Sequence, residues 1–279
     1  MCLNKSTEGD FPMRLIRFIS QDHKTCYGVV ETQEDQTAHL INGSIFNEFS
    51  VSRETAVIKK ILPPVLPPNI IGIGLNYVKH AAETGIERSE IPIMFLKATS
   101  SLTAPGDPIM LPKTGPDEVD FEAELAIVIG KPAKNISPHQ AMAVILGYCC
   151  ANDVSAREWQ IKKQKKQWSR GKSFDTFCPL GPCLVTKDEI PNPNHLHIQT
   201  EINGTLYQDS NTANMIFPVP HLVSHLSQSM TLLPGTVILT GTPEGVGFTR
   251  HPPIFLKEGD RVTISIEKIG QLSNPVVRE

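Results

Sequence analysis

The chain has no Cys-x-x-Cys pair, although it carries six cysteines, at positions 2, 26, 149, 150, 178 and 183. That absence removes zinc ribbons and dithiol redox motifs, and adjacent Cys149 and Cys150 fall in an apolar run that reads as core. No apolar stretch approaches the length of a bilayer span, so no membrane partner is expected. Positive charge is not in excess: 26 Lys and Arg face 29 Asp and Glu, a net charge of −3. Nothing in that balance attracts nucleic acid or an anionic surface. The one basic run, Lys162-Lys163-Gln164-Lys165-Lys166, reads as a solvated helix end or mobile loop. Aromatic residues make up 6%, and near that run only Trp159 and Trp168 occur, so no stacking groove for nucleic acid is expected.

Three motifs begin and fail. Gly72-Ile73-Gly74 opens like a dinucleotide fingerprint, but Tyr77 stands at the third glycine. Gly171-Lys172-Ser173 ends like a phosphate loop, but Lys166 stands where its first glycine belongs. His221 and His225 are correctly spaced for a zinc-protease helix, yet no Glu follows His221. The segment Met1 to Pro12 lacks the apolar core of a secretion signal and the Arg-rich, acid-poor character of an organelle leader. Residues 1–12 are therefore expected to be a flexible extension, with Met13 a possible natural start. Reduced thiols and a cytoplasmic location are expected with it.

What the chain does have is paired carboxylates. Glu122 and Glu124 are two apart in Asp120-Phe121-Glu122-Ala123-Glu124-Leu125, the start of a strand-like run to Ile129. In extended backbone they share a face and repel unless a cation lies between them. Asp153 ends a second apolar run, Val144 to Ala151, that could lie beside the first. Three converging carboxylates without Cys or His make an oxygen-only site suited to Mg²⁺, with Mn²⁺ or Ca²⁺ as substitutes. A solvated strand face, with Asp153 in a turn, is the other reading of the same residues. His80 and Glu83 are three apart in a helix-like segment, where a carboxylate would orient the imidazole for acid–base work. A simple surface contact has the same spacing.

Short strand-like runs at Met13–Ser20, Tyr27–Thr32 and Ala38–Ile41 precede a predicted helix over Glu54–Leu62 capped by Ser52. Leu62-Pro63-Pro64-Val65-Leu66-Pro67-Pro68 then stops any helix. We expect a β-rich module over 13–62, a Pro-rich linker over 63–68 and a catalytic body over 69–279. In the body, helices are expected at Asn76–Thr84, Ser137–Leu146, Ala156–Lys165 and Val219–Ser229. Ile202-Asn203-Gly204-Thr205 signals a tight hairpin, and Thr236–Thr240 and Arg261–Glu267 read as strands. The fold class is α+β, mostly β: a mixed β-roll with helices at its edge. The glycine-rich stretch Thr240 to Gly247 could receive a carboxylate on its amides, or could be only a tight connection.

The ordered set Asn76-Tyr77…His80…Glu83, Phe95-Leu96-Lys97, Asp120-to-Leu125, Asn152-to-Gln160, Arg170-to-Pro182, an Asn-Gly hairpin and Leu239-to-Gly247 resembles the fumarylacetoacetate hydrolase family over roughly Ile70 to Ile269. The resemblance implies a β-sandwich roll, usually a homodimer. It implies Glu122, Glu124 and Asp153 as Mg²⁺ ligands, His80 with Glu83 as a water-activating dyad, and Lys172 as a catalytic cation. Lys97, Arg157, Gln160 and Thr242 are implied as substrate contacts. A 2-oxo acid substrate can chelate a hard cation through its carboxylate and keto oxygens, which favours an enolate. The first expectation is C–C hydrolysis of acylpyruvate-like 2,4-dioxo acids. The alternative is oxaloacetate tautomerisation or decarboxylation, and a more distant one is ureidoglycolate lyase chemistry.

Overall fold

The computed structural model describes residues 13–279; the expected extension over 1–12 lies outside the described residues. Four strands come first: β1 (Arg14–Ser20), β2 (Thr25–Val30), β3 (Thr37–Gly43) and β4 (Phe49–Leu62). The helix expected over Glu54–Leu62 is thus the second half of a long strand. Val57 and Ala56 pair across to Thr37 and Ala38, while Ile61 and Leu62 pair with Phe18 and Arg17. Sheet partners on both sides outweigh the weak local helix preference of this segment. The Pro-rich stretch that follows is packed, with Pro63, Pro64, Val65 and Pro67 buried.

The body begins with β5 (Ile70–Gly74), helix α1 (Val78–Thr84) and β6 (Ile93–Lys97). Short strands β7 (Leu102–Thr103), β8 (Ile109–Leu111) and β9 (Val119–Asp120) lead to β10 (Ala123–Ile129). Helix α2 (Pro138–Val144) starts at Ser137, which forms a capping box with Gln140. It stops where the chain enters β11 (Ile145–Asn152), two residues before the expected helix end. Then come β12 (Ser155–Ala156), a single π-helical segment at Glu158–Lys163, and β13 (Cys178–Thr186). The Asn-Gly turn joins β14 (His197–Ile202) to β15 (Thr205–Asn211) as an antiparallel hairpin. Helix α3 (Val219–Ser229), β16 (Val237–Leu239), β17 (Arg261–Ile266) and β18 (Gly270–Arg278) complete the chain.

Among the described residues, one sheet has eleven strands, in the order β2-β3-β4-β1-β13-β11-β10-β16-β5-β6 with β7 beside β13. A second sheet of five runs β15-β14-β17-β18-β8. Leu125, Ile127 and Ile129 of β10 enter the core that includes Ile198, Ile264 and Leu272 of the second sheet and Leu222 and Leu226 of α3. Ala126 and Val128 point the other way, into a core with Leu15, Ala151 and Leu180. Every residue of β10 is buried, as expected for a central strand covered on both faces. Because β1 pairs with β13, the N-terminal strands and the body share one sheet.

Candidate active site

The two-residue repeat of β10 puts Glu122 and Glu124 on one face, on the parity of Ala126 and Val128. The register Ala123 to Asn152 and Glu124 to Ala151 brings the end of β11, and hence Asp153, alongside. One oxygen each from Glu122, Glu124 and Asp153 lies within 4.8 Å of the others. All three are buried, at 5%, 1% and 0% exposure, which removes the solvated-face reading.

Their partners differ, and the difference is informative. Lys172 Nζ donates to Glu122 Oε2 at 2.7 Å and to Asp153 Oδ2 at 2.6 Å. Lys97 Nζ donates to Asp153 Oδ1 at 2.5 Å. Arg157 Nη2 lies 2.8 Å from Glu122 Oε1 and 2.8 Å from Asp120 Oδ2. Glu124 has no such cation; it accepts the Gly241 N–H at 2.6 Å. Four buried carboxylates (Asp120, Glu122, Glu124, Asp153) thus meet three buried cations (Lys97, Arg157, Lys172), and Glu124 is the one in excess. Burial pushes its pKa well up, and the charges of Asp153 and Glu122 push the same way. Burial would also raise Glu122, but Lys172 and Arg157 reverse that and hold it below the usual carboxylate range. An oxygen-only cluster with one surplus negative charge fits a divalent cation.

A divalent cation held there would favour the ionised form of Glu124, which its surroundings disfavour, so affinity for Mg²⁺ should rise with pH and binding should release protons. Calorimetry in two buffers of different ionisation heat measures the release, and a pH-independent affinity would remove Glu124 from the ligand set.

Helix α1 carries His80 and Glu83. His80 Nδ1 lies 2.7 Å from Glu83 Oε1, as their spacing suggested, and His80 is 5% exposed on the wall of the same cavity. Glu83 Oε2 accepts the Gly245 N–H at 3.0 Å, and Lys79 Nζ lies 3.4 Å from Glu244, so α1 is fastened to the glycine-rich loop. The loop is both of the things its sequence allowed. It is a tight connection, with Gly241 at φ +96 and a Cβ there only 2.7 Å from Asn76 Cβ. Its amides also receive carboxylates, but the protein's own: Glu124, Glu83 and Asp120.

Glu122, Glu124, His80, Arg157, Gln160, Lys172 and Thr242 line one cavity of about 760 Å³. Gln160 accepts from Arg157 Nη1 at 2.8 Å, and Thr242 accepts from Gln208 Nε2 at 2.8 Å. Lys97 and Asp153 stand behind this wall, outside the lining, with fully buried side chains.

Sequence reasoning missed Asp120. It is wholly buried and accepts from Phe121 N, Gly247 N, Phe248 N and Arg157 Nε at 2.8 to 3.0 Å. It holds the Arg157 guanidinium, which also lies over the Phe248 ring at 4.3 Å. The available signal was an acid two residues before Glu122, on the strand parity of the Glu pair, but the chain leaves β9 at Asp120 and enters β10 only at Ala123, so that parity does not carry across. Asp120→Asn should cost about 1–3 kcal/mol in urea unfolding, because it removes one of the two carboxylates on Arg157 and sets an amide against amide donors. A change below roughly 1 kcal/mol would show Arg157 to be held by Glu122 and Phe248 instead. Gln208 was missed too. It bridges Ala123 N to Thr242 and Pro243, and nothing around it in the sequence sets it apart from other strand glutamines.

The fumarylacetoacetate (FAA) hydrolase C-terminal family pattern matches residues 69–277, three-quarters of the chain's length. The chain belongs to the fumarylacetoacetate hydrolase family. A second family, described as Rv2993c-like, N-terminal, matches residues 13–60. The chain is 51% identical over 231 residues to the Xenopus laevis protein named oxaloacetate tautomerase fahd2, mitochondrial, covering 83% of this chain and 72% of that one. It is 48% identical over 217 residues to the human oxaloacetate tautomerase FAHD2A, mitochondrial, covering 78% and 69%. In three dimensions it is similar to a 2-hydroxyhepta-2,4-diene-1,7-dioate isomerase from Mycobacterium marinum, with TM-score 0.82, 40% identity and 96% and 99% coverage. The β-roll expected from the resemblance is the fold observed, and the chain is an enzyme of this family. The cytoplasmic location is overturned: these vertebrate relatives are named as mitochondrial, and the lack of an Arg-rich leader in Met1 to Pro12 was too weak a ground for it.

Proposed function

We propose that the protein is a Mg²⁺-dependent keto–enol tautomerase acting on oxaloacetate. The observation that carries the reading is the high identity to proteins named oxaloacetate tautomerases, which favours this second expectation over C–C hydrolysis of acylpyruvates. The cavity supports it, because it joins a proton-moving group to a cluster of cations and carboxylates.

A divalent cation at Glu122, Glu124 and Asp153 would supply positive charge at the keto oxygen and the neighbouring carboxylate. Glu83 engages His80 Nδ1, and the imidazole lines the cavity with Nε2 as its other ring nitrogen. In the ketonisation direction His80 delivers a proton to C3, the C2=C3 pair forms the new C–H bond, and the enol O–H proton is released as C2=O forms. The reverse direction removes the C3 proton to the same nitrogen. Lys172 offers its ammonium to the negative charge that develops on O2, and Arg157 offers a guanidinium to the substrate carboxylate. No bond between carbons breaks, so no water need be activated.

The test follows enol-oxaloacetate by its ultraviolet absorbance with purified protein, with and without Mg²⁺, while pyruvate is measured separately. The expected result is metal-dependent loss of enol without pyruvate, inhibited by oxalate, a planar mimic of the enolate. Pyruvate formation matching enol loss would make it a decarboxylase, and cleavage of acetylpyruvate without ketonisation would restore the hydrolase. His80→Ala should lower ketonisation about a hundredfold or more while oxalate still binds; an unchanged rate would assign the proton to another group.

A further inference from the structure

The cavity reverses the usual order of polar and apolar lining. Its deep wall holds the buried charged residues described above, whereas its outer wall, partly open to water, sets large apolar side chains beside Lys165, Lys166 and Gln167. Ile86 is 49% exposed and Ile161 37% exposed, both on this rim, with Ile93, Met94 and Trp168 also in the lining. Large exposed aliphatic side chains gathered at the mouth of a charged site mark a surface that a ligand covers. Trp168 is fixed there: its ring meets Phe95 edge-on at 5.8 Å and packs so closely on Gly74 that a Cβ would collide with it. The volume of about 760 Å³ lies in the range that holds drug-sized molecules, far more than a four-carbon diacid needs.

We infer that the site also takes 2-oxo acids whose C3 carries an aromatic or branched apolar group, with the 2-oxo acid end on the charged floor and the C3 substituent against Trp168, Ile161 and Ile86. This rests on the tautomerase reading for its chemistry and on the outer wall for its specificity. The step is the same isomerisation: the C3 proton leaves, its electron pair becomes the C2=C3 bond, and O2 gains a proton. It needs no oxidant or co-reactant, and a C3 aryl group conjugates with the enol formed. Lys165 and Lys166 also reach this rim, so a terminal carboxylate is the competing occupant.

The experiment compares phenylpyruvate, 2-oxoglutarate and oxaloacetate as substrates of the Mg²⁺-loaded full chain, each followed as keto–enol exchange. Phenylpyruvate should be exchanged with kcat/KM at least tenfold above 2-oxoglutarate. Ile86→Ser with Ile161→Ser, surface changes with little risk to the fold, should lower kcat/KM for phenylpyruvate about tenfold or more, chiefly through KM, and leave oxaloacetate within about twofold. Trp168→Ala should lower phenylpyruvate further. If oxaloacetate is exchanged and phenylpyruvate is not, the apolar arm is refuted and the tautomerase reading stands. If phenylpyruvate alone is exchanged and depends on the rim, the arm stands and oxaloacetate is the wrong substrate. A preference for 2-oxoglutarate refutes the arm in favour of the lysines, and exchange of none of the three refutes both.

Discussion

Replacing Glu124 by Gln should abolish metal-dependent turnover while making the metal-free protein harder to unfold. The two effects share one cause. Glu124 is the surplus negative charge of a buried cluster, pressed against Glu122 and Asp153 with a single backbone amide for support. Without a cation that charge is a liability, and a divalent cation bound there would take it as a ligand. Gln keeps an oxygen for the Gly241 N–H and has nearly the same volume, so little packing is lost. Its activity should fall by more than about a hundredfold, beyond the loss seen when only an outer partner of a ligand is removed. The stability gain has a defined pH sign. A carboxyl whose folded pKa is raised carries no penalty below its unfolded value, and the penalty grows as pH rises towards the folded pKa. The variant and the wild type should therefore unfold alike near pH 4 and diverge above it, at about 2–4 °C per kcal/mol for a chain of this class. Thermal unfolding in chelator across that range measures it. A variant less stable than wild type at neutral pH would mean that Glu124 is not the uncompensated group.

That surplus charge was not legible in the sequence, although the cluster was. Period two in Glu122-Ala123-Glu124 and an apolar run ending at Asp153 are local facts, and pairing two adjacent strands brings the three acids together. The His80 and Glu83 contact is equally local, one turn of helix apart. Which cation neutralises which acid depends on Lys97 at the end of β6 and on Lys172 and Arg157 in connections far along the chain. Sequence distance says nothing about those pairings, so Lys97 was expected against substrate and is instead buried behind Asp153. The helix expected over Glu54–Leu62 failed for a related reason. Its charged and aliphatic residues suit a helix as well as a strand, and the partners that decide, Thr37 and Phe18, come from elsewhere. The apolar rim was invisible because exposed isoleucines look like core residues until the fold shows them uncovered.

Lys172→Met should give the opposite pattern from the Glu124 variant: loss of activity together with loss of metal-free stability, the second of which a divalent cation restores in part. Lys172 is 2% exposed and its ammonium is shared by Glu122 and Asp153. Burial would lower its pKa, but Asp153 and Glu122 raise it above the ordinary lysine value. Its contribution to stability is therefore complete at neutral pH and is lost only as pH rises through that raised pKa. Removing one member of such a buried group leaves the others uncompensated and costs about 3–5 kcal/mol. Met fills most of the space, so the loss reports charge more than packing. Arg157 still holds Glu122 and Lys97 still holds Asp153, which keeps the site assembled. A divalent cation would supply the missing charge to both carboxylates, so the rise in melting temperature with Mg²⁺ should be larger in the variant than in the wild type. Turnover should stay about a hundredfold or more below wild type even at saturating metal, because the ammonium proposed to face the developing oxyanion is gone. Equal stabilisation of both proteins by Mg²⁺ would separate Lys172 from the metal site, and near-normal turnover would leave the oxyanion to Arg157.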